Sequence, residues 1–253
     1  MSTLNKAAKK LKPLLNILPK GVQKWAQNNF IQVRPSLVTE TALKPKVREA
    51  LSYLIQKLGD EQVGDYLEFG VFAGSSLALT YDVIKEKKLD QVRLFGFDSF
   101  EGLPESAATD DNGAWEPGQF SCNLKTARYN LTQRGIDWQR AFLVKGWFSE
   151  TLTKETKATY GLQKASLIMV DCDMYISAIE ALRFCAELIK DKAVVIFDDW
   201  NSLNLAEQNM GEKKAFDEFL QENPHLQAED FGTYTCEGAP NGQLFLLTNT
   251  SNR

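Results

Sequence analysis

From Asp65 onward, short apolar runs alternate with longer stretches of helical character, and this alternation limits the possible folds more than any other feature. Several runs are continuously apolar, which is typical of parallel strands covered by helices on both faces. The predicted strands are Asp65–Phe69, Val92–Phe97, Ala141–Val144, Ser166–Val170, Ala193–Phe197, Gln227–Phe231 and Gln243–Thr248. The predicted helices are Ser75–Lys88, Asn123–Arg134, Ser177–Lys190 and Glu212–Glu222. Strands that alternate with helices need crossover connections, so we expect an α/β fold with a doubly wound, mostly parallel, seven-stranded sheet.

The residues before Gly64 lack this alternation and are predicted to add helices in front of the sheet. Leu51, Leu54 and Leu58 have helical spacing, and Gly59 follows them as a natural helix end. We therefore divide the chain into an N-terminal helical extension, residues 1–63, and an α/β domain, residues 64–253. The basic, amphipathic first twenty residues leave two interpretations open: an accessory helix packed on the domain, or a helix for a membrane surface or a partner.

Composition excludes several classes of function. The net charge is −4, which does not favour binding to a phosphate backbone, so a nucleic-acid partner is not expected. No run reaches the ~18 apolar residues of a membrane span, and the N-terminus lacks the apolar core of a secretory signal. We therefore expect no stable membrane insertion and a cytoplasmic location. Four cysteines without CxxC spacing are expected to be free thiols.

Acidic residues follow most of the predicted strands of the sheet. Asp171 and the pair Asp198-Asp199 come at the ends of two neighbouring strands, so their carboxylates should meet at one edge. Such crowding is costly without a counter-cation, and all-oxygen ligands indicate Mg²⁺, Ca²⁺ or Mn²⁺ rather than zinc. Helix capping would explain one of these acids but not the group. The sequence therefore predicts a divalent metal site at this edge.

The loop after the first predicted strand indicates a cofactor site. It contains Gly70 and the turn Gly74-Ser75-Ser76, where glycine lets the backbone approach a ligand closely. Asp98 at the second strand end is placed to accept hydrogen bonds from ribose hydroxyls, which also fits NAD. Glu68, however, would repel a pyrophosphate and suits the ammonium of a methionine group. We therefore favour a sulfonium cofactor over a dinucleotide.

Six segments in order strengthen this interpretation: YLEFGVFAGSS, FGFDSFEGLPE, AWEPGQFS, VKGWFSETL, VDCDMYISAIEAL and VIFDDW. Together they span roughly residues 67–200, and they resemble the macrocin O-methyltransferase family. Members of that family are class I methyltransferases that act on sugar hydroxyls of natural products. The resemblance therefore implies a Rossmann-like methyltransferase domain in residues 64–253 and the cofactor S-adenosylmethionine.

The resemblance also implies roles for individual residues. The residues that would bind the cofactor are Glu68, Gly70, Gly74, Ser75, Ser76, Asp98, Ser99, Gly146, Trp147 and Asp171. In that set the residues up to Ser76 would hold the methionine part, Asp98 and Ser99 the ribose, and Gly146-Trp147 the adenine. The metal ligands would be Asp171, Asp198 and Asp199, and Asp173 would be the general base.

The expected activity is metal-dependent methyl transfer from S-adenosylmethionine to a hydroxyl, on a sugar of a natural product or glycan, with Mg²⁺ as the expected metal. The expected partner is a small glycosylated or hydroxylated acceptor, and analogy with relatives suggests a homo-oligomer. Alternatives are a non-sugar vicinal diol or catechol acceptor, an NAD(P)-dependent oxidoreductase, and a non-enzymatic binding module. The polar segment Leu103–Phe120 is predicted to be a lid over the acceptor. A sugar platform is predicted from the aromatic residues Trp115, Trp147, Tyr175 and Trp200.

Overall fold

A computed structural model describes residues 30–32, 34, 36–37, 39–236 and 239–251, so the basic N-terminal stretch lies outside the described residues. The strands are β1 Asp65–Phe69, β2 Leu94–Asp98, β3 Ala141–Lys145, β4 Ala165–Val170, β5 Lys192–Phe197, β6 Leu226–Cys236 and β7 Ala239–Asn249. The helices are α1 Glu40–Leu58, α2 Ser75–Glu86, α3 Leu124–Gln133, α4 Phe148–Thr151, α5 Lys154–Tyr160, α6 Tyr175–Cys185 and α7 Gly211–Glu222. Short 3-10 turns lie at Asp60–Gln62, Glu105–Ala108, Asp110–Gly113, Ala186–Leu188 and Ser202–Asn204.

The strands form one seven-stranded sheet in the order β3-β2-β1-β4-β5-β7-β6. The first five strands are parallel, and β7 runs antiparallel between β5 and β6. The predicted fold class is therefore confirmed. The last two strands are longer than predicted because they pair along a hairpin whose register shifts at Asp230/Gly232 and at Tyr234/Thr235.

Apolar side chains explain why these segments form the centre of the sheet. Every residue of β1 and of β4 is buried, in agreement with strands covered on both faces. Helix α1 joins this core, since Leu43, Val47 and Leu54 are fully or almost fully buried in the same apolar cluster as residues of β1, β4 and β5. The predicted helix end at Gly59 is confirmed, because that residue has the positive φ of 86° that glycine tolerates.

Two sequence-based expectations can be compared with the described residues directly. Within that part of the chain, no helix combines the length and the apolarity that crossing a bilayer requires. Cys122, Cys172 and Cys185 are buried free thiols.

The sheet order reverses at β1, which pairs with β2 on one side and with β4 on the other. In doubly wound sheets, ligands bind in the crevice beyond the carboxyl ends of the strands at such a reversal. A ligand site is therefore expected at the loops that follow β1, β2, β4 and β5.

Candidate active site

A cavity of about 710 Å³ opens beyond the carboxyl ends of β1 to β5. Its wall contains a residue or pair at or just after the end of each of these strands: Gly70, Asp98-Ser99, Gly146-Trp147, Asp171 and Asp198-Asp199. Ser75 and Ser76, in the first turn of α2, also line it. The structure thus brings the predicted cofactor and metal residues together, except for Glu68 and Gly74, which do not line the cavity.

The loop after β1 lies so close to β4 that only glycine fits at position 70. Gly70 has a φ of 90°, and a Cβ atom there would lie 1.7 Å from the carbonyl oxygen of Asp171. Gly74 has a φ of 85° and precedes α2, but it faces Leu131, whose Cγ would lie 2.8 Å from an added Cβ atom. Gly74 therefore shapes the turn from outside the cavity, whereas Gly70 lies at its wall.

Glu68 lies behind the cavity wall rather than in it. Its side chain is fully buried, and its two oxygens accept hydrogen bonds from the hydroxyl of Tyr66 and, at 2.9 Å, from Oγ of Ser76. Burial raises the pKa of Glu68 to about 8. Ser76, which donates this hydrogen bond, does line the cavity, and the contact of Glu68 with a methionine ammonium stays a prediction.

This buried carboxyl predicts a pH dependence of stability. The folded protein holds the Glu68 proton more tightly than the unfolded chain, so its stabilisation is complete below the ordinary pKa of 4.5 and is lost as pH rises towards about 8. Glu68→Gln keeps the shape and removes the titration. In the absence of metal and cofactor, the melting temperature of the variant relative to wild type should be several degrees higher at pH 8 than at pH 5. If the melting temperatures of wild type and Glu68→Gln change by the same amount between pH 5 and pH 8, the raised pKa of Glu68 is contradicted.

Asp98 fastens the loop after β1 to the end of β2. Its Oδ2 accepts hydrogen bonds from the backbone N–H groups of Val71 and Phe72, each at 2.8 Å, and its Oδ1 accepts one from Phe100. Each carboxylate oxygen has two lone pairs, so these three bonds leave Oδ1 of Asp98 able to accept one further hydrogen bond. Ser99 Oγ donates to the carbonyl of Gly102 at 2.9 Å and stabilises the next turn.

The predicted metal ligands lie together after β4 and β5. Asp171, Asp198 and Asp199 each offer one carboxylate oxygen, and these oxygens lie within 4.8 Å of one another. The hydroxyl of Tyr234 donates to Oδ1 of Asp198. Ser202 Oγ donates to Oδ1 of Asp199 at 2.8 Å. Neighbouring side chains therefore orient two of the three carboxylates.

The charges of the cavity wall fit a cation. Its acidic residues are Asp98, Asp171, Asp173, Glu180, Asp198 and Asp199. Among the described residues that line it, none is lysine, arginine or histidine. Burial, followed by the negative charges of Asp198 and Asp199, raises the pKa of Asp171 well above its usual range. A donor set of carboxylate oxygens suits a hard divalent ion, which would relieve this repulsion.

Asp173 lies between β4 and α6 in a left-handed backbone conformation with a φ of 64°. This conformation is uncommon for residues other than glycine, and asparagine and aspartate adopt it most readily. Its carboxyl group lines the cavity and is hydrogen-bonded to that of Asp199. Burial and the charge of Asp199 raise the pKa of Asp173 well above its usual range. The side chain proposed as a base is thus next to the predicted metal ligands.

A sequence model described as macrocin O-methyltransferase (TylF) matches residues 34–225. This chain belongs to the macrocin O-methyltransferase family. The six segments that suggested the resemblance lie within that match, so the family prediction is confirmed.

Two relatives are consistent with this membership, and a solved structure shares the fold. A Streptomyces olivaceus protein named 8-demethyl-8-(2,3-dimethoxy-alpha-L-rhamnosyl)-tetracenomycin-C 4'-O-methyltransferase is 27% identical over 172 residues, which is 64% of this chain and 63% of that protein. Mycinamicin III 3''-O-methyltransferase of Micromonospora griseorubida is 23% identical over 174 residues, 64% of this chain and 66% of that protein. This chain thus aligns with slightly less than two thirds of each relative. The O-methyltransferase NovP shares the fold, with a TM-score of 0.67 at 16% identity, over 94% of this chain and 98% of NovP.

In this macrocin O-methyltransferase family member, the predicted aromatic platform is only partly in place. Trp147 lines the cavity. Trp200 instead packs against Phe197 and Phe245, and Trp115 lies in a small apolar cluster with neighbouring residues. Aromatic composition alone could not distinguish a core position from a cavity position.

Several residues that the sequence did not predict hold the carboxylates in place, although they are far from them in the sequence. Tyr234 is on β6, and Glu212 on α7 accepts a hydrogen bond from the backbone N–H of Asp199 at 3.1 Å. Asp111 connects the N-termini of α6 and α7. Asp111 lies in the middle of the predicted lid, Leu103–Phe120. The residues at the two ends of that segment, Leu103 and Phe120, line the cavity. No local motif marks these contacts, because each joins segments that are far apart in the chain.

Proposed function

We propose that this protein transfers the methyl group of S-adenosylmethionine to a sugar hydroxyl of a glycosylated small molecule, with a divalent cation, Mg²⁺ foremost, held by Asp171, Asp198 and Asp199. The observation that carries the proposal is the convergence of these three carboxylates, within 4.8 Å, in a cavity beside the Gly70 turn of a macrocin O-methyltransferase family member. By name, one relative is an O-methyltransferase of a rhamnosyl tetracenomycin and the other is an O-methyltransferase of mycinamicin III, and the rhamnosyl group of the first supports the acceptor class.

The cofactor is proposed to lie between the loops after β1, β2 and β3. Gly70, Ser75 and Ser76 would hold its methionine part, Asp98 and Ser99 its ribose, and Gly146-Trp147 its adenine. The acidic wall favours a cofactor that carries a sulfonium and an ammonium group. The same wall would repel the pyrophosphate of NAD(P), and this disfavours the oxidoreductase alternative.

The side chains support methyl transfer by in-line displacement. A bound divalent cation supplies Lewis-acid stabilisation of negative charge on an oxygen nucleophile. Asp173 would accept the proton of the attacking hydroxyl as its oxygen forms a bond to the methyl carbon. The carbon–sulfur bond breaks at the same time, and sulfur keeps the electron pair. The products are a methyl ether, S-adenosylhomocysteine and a proton on Asp173.

The cavity mouth supports an acceptor with an apolar portion. Large hydrophobic side chains that are exposed to solvent are concentrated there: Leu37, Phe120, Ile176 and Leu203 all line the cavity. Exposed apolar side chains grouped at the rim of a polar cavity are typical of ligand-binding surfaces. We therefore place the sugar at the carboxylates and the aglycone against this apolar rim.

The test is turnover by the purified protein with S-adenosylmethionine, Mg²⁺ and a panel of acceptors. The panel contains rhamnosides of apolar aglycones, the free sugar, a catechol and a non-sugar vicinal diol, with S-adenosylhomocysteine release and product mass as readouts. We expect methylation of the glycosides. If S-adenosylhomocysteine is released only when the catechol is present, the alternative acceptor is favoured. Binding of S-adenosylmethionine without turnover on any acceptor would indicate a binding module.

The rim is tested in the same assay with Leu203→Asn. Leu203 is 58% exposed with a φ of 52°, a backbone conformation that asparagine tolerates well, so the fold should not change. Loss of its apolar contact, about 1–2 kcal/mol, should raise the KM for the glycoside about 5- to 30-fold without changing the KM for S-adenosylmethionine. Tyr129→Ser, at a 46% exposed position that does not line the cavity, is the matched control and should leave both constants unchanged.

A further inference from the structure

Asp111 is a buried acid that contacts two different helices. It lies in the 3-10 turn Asp110–Gly113 and is 8% exposed. Its Oδ2 accepts the backbone N–H of Tyr175 at 2.8 Å, and its Oδ1 accepts the backbone N–H of Gly211, also at 2.8 Å. These N–H groups are the first of α6 and of α7, so one carboxylate joins the two helix N-termini.

The hydrogen bond from α6 to Asp111 holds the part of the chain that carries Asp171 and Asp173. Tyr175 lies two residues after Asp173, whose left-handed backbone lies in the turn between Asp171 and α6. A residue in such a conformation persists only when its surroundings hold it there. The bond from Tyr175 to Asp111 fixes the chain two residues after Asp173, and the neighbouring Asp110 accepts the N–H of Ile176 at 2.9 Å.

The hydrogen bond from α7 to Asp111 acts on Asp199, through Glu212. Gly211 precedes Glu212, which is 1% exposed and accepts the backbone N–H of Asp199 through Oε2 at 3.1 Å. The other oxygen of Glu212, Oε1, is buried and has no hydrogen-bond partner among the described residues. The start of α7 therefore determines where Glu212 holds Asp199, and Asp111 holds the start of α7.

The turn that carries Asp111 is itself fixed by packing. Ala107 and Trp115, on either side of it, are buried in one apolar cluster with Met174 and Leu205. Met174 precedes α6, and Leu205 lies between Asp199 and α7. The same four side chains thus join the Asp111 turn to both connections that leave the carboxylate cluster.

We propose that Asp111 is a positioning residue for the metal site: it holds Asp171 and Asp173 on one side and Asp199 on the other in a single arrangement. This inference rests on the proposed metal-dependent function. Asp111 does not line the cavity, so it acts through the helices rather than by touching the ligand. Outer residues that orient metal ligands contribute about 10- to 100-fold in metal affinity or activity.

The experiment compares wild type, Asp111→Asn and Asp110→Asn in the full-length protein. Asparagine keeps the size of Asp111 but has one acceptor oxygen, so its NH₂ group meets one of the two N–H donors and one link is lost. Asp110 accepts the N–H of a single helix residue, Ile176, and the amide oxygen of asparagine can keep that bond, so Asp110→Asn is the matched control. Metal affinity is measured by calorimetric titration with Mn²⁺ in the absence of cofactor, and S-adenosylmethionine affinity is measured separately.

For Asp111→Asn we expect Mn²⁺ to bind about 10-fold or more weakly, with cofactor affinity within about twofold of wild type. Methyl transfer should fall at low Mg²⁺ and recover at saturating Mg²⁺, which a general loss of folding would not show. Asp110→Asn should bind Mn²⁺ as wild type does. Equal Mn²⁺ affinity in all three proteins would overturn the inference, whereas a wild type that does not bind Mn²⁺ would refute the proposed function instead.

Hydrogen exchange of the wild-type protein provides a second test if Asp111→Asn does not fold. Coupling between the bridge and the metal must be reciprocal, so Mn²⁺ should slow the amide exchange of Tyr175 and Gly211. Unchanged exchange at both amides under saturating Mn²⁺ would contradict a positioning role for Asp111.

Discussion

Asp198→Asn is expected to lower the rate of methyl transfer by about a thousandfold or more while leaving the fold intact. The variant keeps an oxygen that can accept the hydroxyl of Tyr234, but it removes one of the three carboxylates that lie within 4.8 Å of one another. Loss of Lewis-acid stabilisation of the oxygen nucleophile costs several kcal/mol, and each 1.36 kcal/mol is a factor of ten in rate. The measurements are S-adenosylhomocysteine release and calorimetric titration with Mn²⁺.

The stability of the same variant separates a ligand role from a structural role. Burial, together with the charge of Asp199, raises the pKa of Asp198 to about 7, so the metal-free cluster is electrostatically unfavourable when it ionises. Removing one acid should therefore maintain or raise the melting temperature of the metal-free protein near neutral pH, even though activity falls. Asp217→Asn, at the partner of Lys213 on the surface of α7, is the control and should retain activity.

Removal of the metal from the wild type should reproduce the defect. Exhaustive chelation is expected to stop methyl transfer, and added Mg²⁺ should restore it. A chelated wild type that works at full rate, together with an active Asp198→Asn variant, would rule out the metal mechanism and leave only the methyl-transfer part of the proposal.

The sequence predicted the sheet because the relevant signal is local. β1 begins and ends where its apolar run does, and the ends of the other parallel strands differ from prediction by at most two residues. The carboxyl ends of parallel strands meet at one edge whatever the loops do. For that reason Asp171 and Asp198 could be placed together from sequence alone, and the structure has their oxygens within 4.8 Å.

The parts that could not be predicted depend on side-chain direction and on distant contacts. Glu68 precedes the Gly70 loop just as Asp98 ends β2, yet the first is buried behind the wall and the second lines it. The difference arises from Tyr66 and Ser76, which surround the Glu68 carboxyl, and no local pattern reveals that enclosure. The contact of Asp111 with Gly211 joins positions a hundred residues apart, and no short-range pattern in the sequence predicts it.

Asp173→Asn should give a different signature from Asp198→Asn, because the proposal assigns the two acids different chemistry. The variant loses a group that can accept a proton but keeps the size of the side chain and its tolerance of the left-handed backbone at this position. General-base catalysis contributes about 10²- to 10⁴-fold, so kcat should fall by that factor. The KM for S-adenosylmethionine and the Mn²⁺ affinity should stay within a few-fold of wild type.

The pH dependence of this variant provides the decisive comparison. Without an internal base, the hydroxyl must lose its proton to solvent, and hydroxide becomes more available as pH rises. The ratio of wild-type to Asp173→Asn activity should therefore stay level while Asp173 is protonated and shrink with increasing pH once Asp173 is ionised. If Asp173 served only to support Asp199, to which its carboxyl is hydrogen-bonded, the variant would weaken Mn²⁺ binding and the ratio would not depend on pH. Metal affinity and the pH profile of kcat together thus decide whether the acid that follows the Asp171 ligand moves the proton or merely positions its neighbour.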